Sequence, residues 1–86
     1  MKIEPFKIQV TPEQSAKVQN ELFRKGFFWC SENDKVLHTD VPYLMFRHCL
    51  NGDLAIYYEY SEAAFEERKL REITFEQFMN EIQKLN

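Results

Sequence analysis

The chain has 86 residues, of which 44% are hydrophobic and 15% aromatic, and it contains only two glycines and three prolines. This composition excludes an intrinsically disordered chain, and the length suits one domain with a thin core. The formal net charge of −3 provides no overall basic surface for phosphates, so a nucleic-acid partner is disfavoured. No apolar run approaches the roughly 20 residues of a membrane-spanning helix, and the N-terminus carries no apolar signal segment. We therefore expect a single cytoplasmic domain over residues 1–86.

The N-terminal part of the chain predicts a strand followed by a helix. Apolar and polar residues alternate over positions 6–10, as in a strand with one buried face. Thr11 and Gln14 have the spacing of a capping box, in which each side chain bonds to the backbone N–H of the other residue. We expect a helix over residues 12–25 that ends at Gly26, because glycine readily adopts the positive φ of a helix C-terminus.

The middle of the chain predicts a β-hairpin preceded by two shorter strands. Residues 27–30 are bulky and typical of a buried strand, whereas residues 35–38 predict a weaker one. An Asn-Gly pair at positions 51–52 separates two apolar runs, 43–50 and 53–60. Asn-Gly is the strongest short hairpin signal, because both residues tolerate the positive φ of a two-residue turn.

A two-residue turn determines which residues of the hairpin share a face. It places Leu50 opposite Asp53, and hence Phe46 opposite Tyr57. The more apolar face is assigned to the core and comprises Met45, Arg47, Cys49, Leu54, Ile56 and Tyr58. The face left open comprises Leu44, Phe46, His48, Ala55, Tyr57 and Glu59. A register shift of one residue would exchange the two faces.

The C-terminal part predicts a charged loop followed by a second helix. Residues 61–72 mix acidic and basic side chains and are expected to form a surface loop. A second capping box, Thr74 with Gln77, starts an amphipathic helix. The resulting order, β-α-β-β-β-β-α, predicts a two-layer α+β sandwich with a mostly antiparallel sheet and both helices on one face. The other face is then left to solvent, a partner or a second copy of the chain.

The sequence contains no motif typical of a catalytic or cofactor-binding site. A nucleophile elbow, an HExxH helix, a phosphate-binding loop and a glycine-rich dinucleotide turn are all absent. Cys30 and Cys49, the only cysteines, lack the spacing of a zinc site or a disulfide framework, and we expect two reduced thiols. A composite site of His38, Asp40 and a cysteine is conceivable, but an exposed His38 at a strand end is the simpler interpretation. We expect a protein that is not an enzyme and needs neither a metal nor a cofactor.

Two stretches of the chain resemble small accessory proteins encoded by large tailed bacteriophages. The first is the pattern TPEQSxxVQxxLFxxGFxW over residues 11–29, and the second is Glu-Ile-Thr at residues 72–74. The resemblance implies a phage or prophage origin, and it carries no catalytic residues over to this chain. Such accessory proteins commonly act on the host, where they inhibit defence enzymes, redirect transcription or sequester nucleotide signals.

These observations favour a non-enzymatic phage protein that binds a host protein and inhibits or modulates it, as a counter-defence protein does. The expected binding residues lie on the open face and in the charged loop: Phe46, His48, Tyr57, Glu59, Arg68, Lys69 and Arg71. Self-association as a homodimer or larger oligomer is a further way to cover the open face. The alternative is an oligomeric protein that sequesters a cyclic nucleotide, in a pocket where aromatic rings meet Arg47, Arg68, Lys69 or Arg71.

Overall fold

Five strands and three helices form over residues 3–31 and 33–84, the part of the chain that the computed structural model describes. In chain order they are β1 (Phe6–Gln9), α1 (Pro12–Arg24), β2 (Phe28–Trp29), β3 (Tyr43–His48), β4 (Leu54–Glu59), α2 (Glu62–Glu67), β5 (Arg71–Ile73) and α3 (Phe75–Gln83). The strands form one sheet, and α1 and α3 pack together over one of its faces. The predicted α+β sandwich is therefore confirmed, with α2 as an element that the prediction lacks.

The helices of this layer begin where the capping boxes place them. In α1 the backbone N–H of Gln14 donates to the Thr11 hydroxyl at 3.2 Å, and the N–H of Thr11 donates to Gln14 Oε1 at 3.1 Å. Thr74 and Gln77 repeat the exchange at the start of α3, over 3.1 and 2.8 Å. The apolar stripes of the two helices then bury Val18, Leu22, Phe78 and Ile82 in the core.

The sheet is antiparallel at its centre and parallel at both edges. Its strand order is β2-β4-β3-β1-β5. Strands β1 and β4 run antiparallel to β3 between them, whereas β2 runs parallel to β4 and β5 runs parallel to β1. The antiparallel pairing predicted from the sequence thus holds for the three central strands. Both edge strands are short, with two residues in β2 and three in β5.

A buried glutamine takes the place of the strand predicted at residues 35–38. Gln19 of α1 is fully buried, and its side-chain amide donates to the carbonyl of Leu37 at 2.7 Å and accepts from the Leu37 N–H at 2.9 Å. Its Nε2 also donates to Ser15 Oγ at 3.0 Å. Because this amide satisfies the backbone groups that a neighbouring strand would satisfy, the described residues around Leu37 pack without forming a strand.

The hairpin of β3 and β4 forms, but its register is shifted by one residue from the predicted one. Phe46 pairs with Ile56 rather than with Tyr57. The predicted open face is therefore wrong for β3, since Leu44 and Phe46 lie in the core that α1 and α3 cover, whereas the predicted β4 residues do lie on the opposite face of the sheet. Phe46 is 0% exposed, and the centre of its ring lies 5.4 Å from that of Phe6.

The length of the hairpin loop explains the shift. The N–H of Cys49 donates to the carbonyl of Asp53 at 2.7 Å, and the N–H of Gly52 donates to the carbonyl of Cys49 at 3.0 Å. The loop therefore consists of residues 50–52, one more than the Asn-Gly pair alone. Gly52 has a φ of +93°, the left-handed conformation that the last residue of a three-residue hairpin loop adopts. One extra loop residue is enough to exchange the two faces of β3 relative to those of β4.

The sheet face opposite α1 and α3, which we call the outer face, is partly covered by α2. The segment 61–72, predicted as a loop, contains α2 and β5 instead. Ser61 caps α2 by accepting a hydrogen bond from the N–H of Ala64 at 3.2 Å. Phe65 is buried and stacks on Tyr43 of β3, with ring centres 4.4 Å apart. Burial of Phe65 against Tyr43 thus holds α2 on the sheet, in a segment that was expected to be a loop.

A buried lysine holds α2 against the sheet. Lys7 lies between Phe6 and Ile8 in β1, reaches the outer face and is only 5% exposed. Its ammonium group donates to the carbonyls of Phe65 at 2.7 Å and Glu66 at 3.4 Å, and lies 4.7 Å from the centre of the Phe65 ring. The cation adds a charged donor to carbonyls at the end of α2, where Phe65 otherwise accepts only from the N–H of the capping residue Arg68, at 3.3 Å, and where the helix dipole also favours positive charge.

We expect Phe46→Ala to lower the free energy of unfolding by about 3–5 kcal/mol, because the truncation leaves a cavity in the core. Tyr60→Ala, which removes an exposed ring just beyond β4, is the matched control and should change it by no more than about 0.5 kcal/mol. Urea unfolding followed by circular dichroism measures both. Equally small losses in the two variants would contradict the observed register.

We expect Lys7→Met to cost about 1–3 kcal/mol of stability, because the buried carbonyls at the end of α2 lose their charged donor while the side-chain volume is kept. Lys17→Met, at an exposed position of α1, controls for the loss of one positive charge. The comparison is made by urea unfolding at a single salt concentration. If both methionine variants unfold at the same urea concentration, Lys7 does not anchor α2.

Candidate functional site

The predicted binding residues of the hairpin do not share a surface. Tyr57 and Glu59 lie on the outer face of β4. Phe46 lies on the opposite side of the sheet and is buried, so its assignment to a binding surface is wrong. His48, at the end of β3, is exposed, and its Nδ1 lies 2.8 Å from the carbonyl oxygen of Gly52. Only Tyr57 and Glu59 of these four residues are therefore neighbours on one face.

The predicted basic residues are also separated. Arg68 and Lys69 are exposed between α2 and β5. Arg71 of β5 instead donates two hydrogen bonds to the Glu81 carboxylate of α3, at 3.0 and 2.7 Å. These bonds, together with the charge of Arg71, hold the pKa of Glu81 below its ordinary value. Arg71 therefore links the edge strand β5 to α3 through an ion pair.

Four rings form a group beside β2 and β4 that we call the aromatic cluster: Trp29, His38, Tyr58 and Tyr60. His38 stacks on Tyr58, with ring centres 4.0 Å apart and 24° between the ring planes. Trp29 and Tyr60 each meet Tyr58 edge to face, with ring centres at 6.3 and 5.7 Å. Edge-to-face and stacked pairs of this kind are favourable arrangements of aromatic rings.

Backbone and core contacts hold the inner side of the aromatic cluster. Trp29 is buried, as expected for the bulky run 27–30, whereas Phe28 and Cys30 of that run are exposed. The indole N–H of Trp29 donates to the carbonyl of Lys35 at 3.0 Å. His38 has a φ of +56°, uncommon for a residue other than glycine, and its carbonyl accepts from the N–H of Val41 at 3.1 Å. His38 is thus half-buried against Tyr58 rather than exposed at a strand end.

The outer side of the aromatic cluster is open to solvent. Tyr58 is 43% exposed and Tyr60 is 60% exposed. A shallow groove of about 200 Å³ lies beside them, with Trp29, Leu37 and His38 among its lining residues. The cluster therefore presents aromatic surface that is already ordered by its own packing.

A second group, on the outer face, consists of Cys30, Arg47, Cys49 and Tyr57, and we call it the thiol site. The Cys49 thiol donates to Cys30 Sγ at 3.6 Å. The guanidinium carbon of Arg47 lies 3.8 Å from the centre of the Tyr57 ring. Arg47 Nε is buried and has no hydrogen-bond partner among the described residues. The four residues line an open groove of about 600 Å³.

The surroundings of Cys30 favour its thiolate. Hydrogen bonds from the Tyr57 hydroxyl and the Cys49 thiol, with a smaller contribution from the charge of Arg47, hold the pKa of Cys30 below its ordinary value. Partial burial acts in the opposite direction but is the weaker effect. The same hydrogen bonds with the two sulfurs raise the pKa of Tyr57, so its hydroxyl stays protonated and available as a donor. Both cysteines are free thiols, with Cys30 exposed and Cys49 half-buried.

The thiol site was not predicted from the sequence. Cys30 and Cys49 are 19 residues apart and follow no recognised spacing, so only the tertiary structure brings them together. Part of the signal was present, because period-two alternation places Arg47 and Cys49 on one face of the hairpin. The correct three-residue loop would have added Tyr57 to that face.

Over residues 3–31 and 33–84, no group of three or more His, Cys, Asp or Glu side chains is placed to hold a metal ion. None of the helices in these same two segments combines the length and the apolar character that crossing a membrane requires. Comparison of the chain with protein-family models, with curated proteins and with solved structures gives no match. The aromatic cluster and the thiol site are therefore interpreted from their own geometry.

We expect Tyr57→Phe to raise the pKa of Cys30 toward its ordinary value, because the substitution removes the largest contribution to its depression. The alkylation rate of Cys30 at neutral pH should then fall by at least about twofold, since the thiolate is the reacting species. The measurement is the rate of reaction with iodoacetamide as a function of pH, in a Cys49→Ser background where Cys30 is the only thiol.

Two comparisons make this measurement specific. At high pH, where Cys30 is ionised in every variant, the rates should converge. Tyr60→Phe removes an exposed hydroxyl from the aromatic cluster and should leave the profile of Cys30 unchanged. Superimposable pH profiles for Tyr57→Phe and Tyr60→Phe would show that the Tyr57 hydroxyl does not tune Cys30.

Proposed function

We propose that this chain is a phage-encoded, non-enzymatic binding protein that inhibits or modulates a host protein in the host cytoplasm, as a counter-defence protein does. The observation that carries the proposal is the exposed side of the aromatic cluster, where Tyr58 and Tyr60 stand open to solvent. Tyrosine and tryptophan are strongly enriched among the residues that dominate protein–protein binding energy.

The order within the aromatic cluster supports a role in binding. Tyr58 is stacked on His38 and contacts Trp29 edge to face, so its ring is held in one position before any partner arrives. A side chain that is already ordered loses little rotamer freedom on association, which leaves more of its contact energy available for affinity. Exposed aromatic side chains on a rigid strand are thus well suited to serve as anchors.

The absence of catalytic motifs from the full sequence supports the non-enzymatic part of the proposal. The phage part rests on the resemblance of residues 11–29 and 72–74 to phage accessory proteins. The net charge of −3 disfavours nucleic acid as the partner. A host protein is therefore the partner that we propose.

The alternative of a protein that sequesters a cyclic nucleotide has one supporting observation. Arg47 stacks on Tyr57 beside an open groove, an arrangement that suits a flat anionic ligand. That groove contains Arg47 but not Arg68, Lys69 or Arg71, and Arg71 is already paired with Glu81. The basic residues expected to converge on such a ligand thus do not converge, and binding of a host protein remains the better-supported proposal.

We expect the double variant Tyr58→Ala/Tyr60→Ala to lose its host partner while the fold is kept. An anchor residue typically contributes 2 kcal/mol or more, so binding should weaken at least about 30-fold. The tagged wild-type protein is used to retain partners from host lysate, which are identified by quantitative mass spectrometry. The Kd of the purified pair is then measured for each variant.

Arg68→Ala/Lys69→Ala is the matched control, because it removes two exposed side chains from the connection between α2 and β5. This control should bind like wild type. Retention of no host protein by the wild type, or equal retention by the aromatic variant, would contradict the proposal. A rise in melting temperature of the wild type with a cyclic nucleotide, and no retained protein, would favour sequestration instead.

A further inference from the structure

The arrangement of the thiol site points to chemistry that the proposed binding function does not use. Two free thiols, Cys30 and Cys49, lie with their sulfurs 3.6 Å apart at the rim of an open groove. We propose that they form a thiol–disulfide exchange site for small disulfides, in which Cys30 attacks and Cys49 resolves. The substrate class is a low-molecular-weight disulfide such as oxidised glutathione.

The position of Cys30 suits an attacking thiol. It directly follows the edge strand β2 and is exposed, so a disulfide can approach it from solvent. Tyr57 lines the same groove and lowers the pKa of Cys30 through its hydroxyl, and the Arg47 guanidinium stacks on the Tyr57 ring. A donor and a nearby cation are the surroundings that keep a cysteine sulfur in its reactive thiolate form.

The position of Cys49 suits a resolving thiol. It is half-buried on the hairpin, next to the three-residue loop, so it is less open to solvent than Cys30. Its S–H is directed at Cys30 Sγ. A mixed disulfide on Cys30 would therefore have a second sulfur beside it, as in redox-sensing sites where a resolving cysteine stands next to an exposed reactive one.

The exchange is balanced in two steps. The Cys30 thiolate attacks one sulfur of oxidised glutathione, which forms a Cys30–glutathione disulfide and breaks the S–S bond of oxidised glutathione. One glutathione thiolate leaves with the bonding electron pair and takes a proton from water. Cys49 then releases its proton to water and attacks Cys30 Sγ, which displaces the second glutathione thiolate. The two protein thiols are oxidised by two electrons, and one glutathione disulfide is reduced to two thiols.

The product would add a covalent bond between the short edge strand β2 and the hairpin that it pairs with. Strand β2 has only two residues, and these pair with Ala55 and Ile56 of β4. A Cys30–Cys49 bond would join the end of this strand to the β3–β4 hairpin and close the segment 31–48 into a loop. Because closing a loop restricts the unfolded chain, the oxidised protein should melt at a higher temperature than the reduced protein.

The test uses the reduced 86-residue chain and oxidised glutathione at neutral pH, with intact-mass and peptide mass spectrometry after rapid alkylation of the remaining thiols. The wild type should lose two hydrogens and keep no glutathione, because Cys49 displaces it. Cys49→Ser should accumulate one glutathione on Cys30. Cys30→Ser should form a mixed disulfide on Cys49 at least about tenfold more slowly, since the remaining thiol is less exposed to the incoming disulfide.

Wild-type protein that keeps glutathione, or that remains fully reduced while Cys49→Ser reacts readily, would overturn the role of Cys49. Equal rates for Cys30→Ser and Cys49→Ser would overturn the role of Cys30. Serine is close in size to cysteine, and circular dichroism of both variants verifies the fold. The readout is covalent and needs no host protein, so it succeeds or fails independently of the proposed binding function.

Discussion

The register between β3 and β4 is the constraint on which the other features of this molecule depend. It is determined by the three-residue loop 50–52, in which Gly52 adopts a left-handed conformation. Because successive residues of a strand point to opposite faces, this register decides what is buried and what is displayed. It places Phe46 in the core and Arg47 beside Tyr57 on the outer face. With the alternative register, neither the core nor the thiol site could form.

The outer face shows how a small domain covers a sheet with few residues. Only one turn and a half of helix, α2, lies over it, and its contacts are concentrated in Phe65 and Lys7. A buried lysine requires partners for its charge, and here the carbonyls at the end of α2 and the face of an aromatic ring supply them. The uncovered remainder of the face is where the thiols meet, so the short length of α2 leaves the thiol site accessible.

Local signals in the sequence were sufficient for α1, for α3 and for the existence of the hairpin. Thr11 with Gln14 and Thr74 with Gln77 depend only on residues three positions apart, and both capping boxes form as expected. The predictions that failed concern features that depend on residues far apart in the sequence. Whether Asn51 and Gly52 belong to a loop of two or three residues depends on how the strands pack. The hydrogen bonds between the Gln19 side chain and the Leu37 backbone join residues that are 18 positions apart. The stacking of Phe65 on Tyr43 is equally non-local. The candidate sites depend on these long-range contacts, so neither could be assembled from sequence patterns alone.

The brevity of the two edge strands has a consequence for how this molecule meets others. β2 has two residues and β5 has three, so the edges of the sheet present few backbone N–H and C=O groups with which a strand of another molecule could pair. Short edges are a known protection against uncontrolled growth of a sheet from one chain to the next. They also disfavour recognition by strand addition, in which main-chain hydrogen bonds provide the affinity. Any macromolecule that recognises this domain must therefore read side chains, a mode in which a single substitution can abolish the interaction.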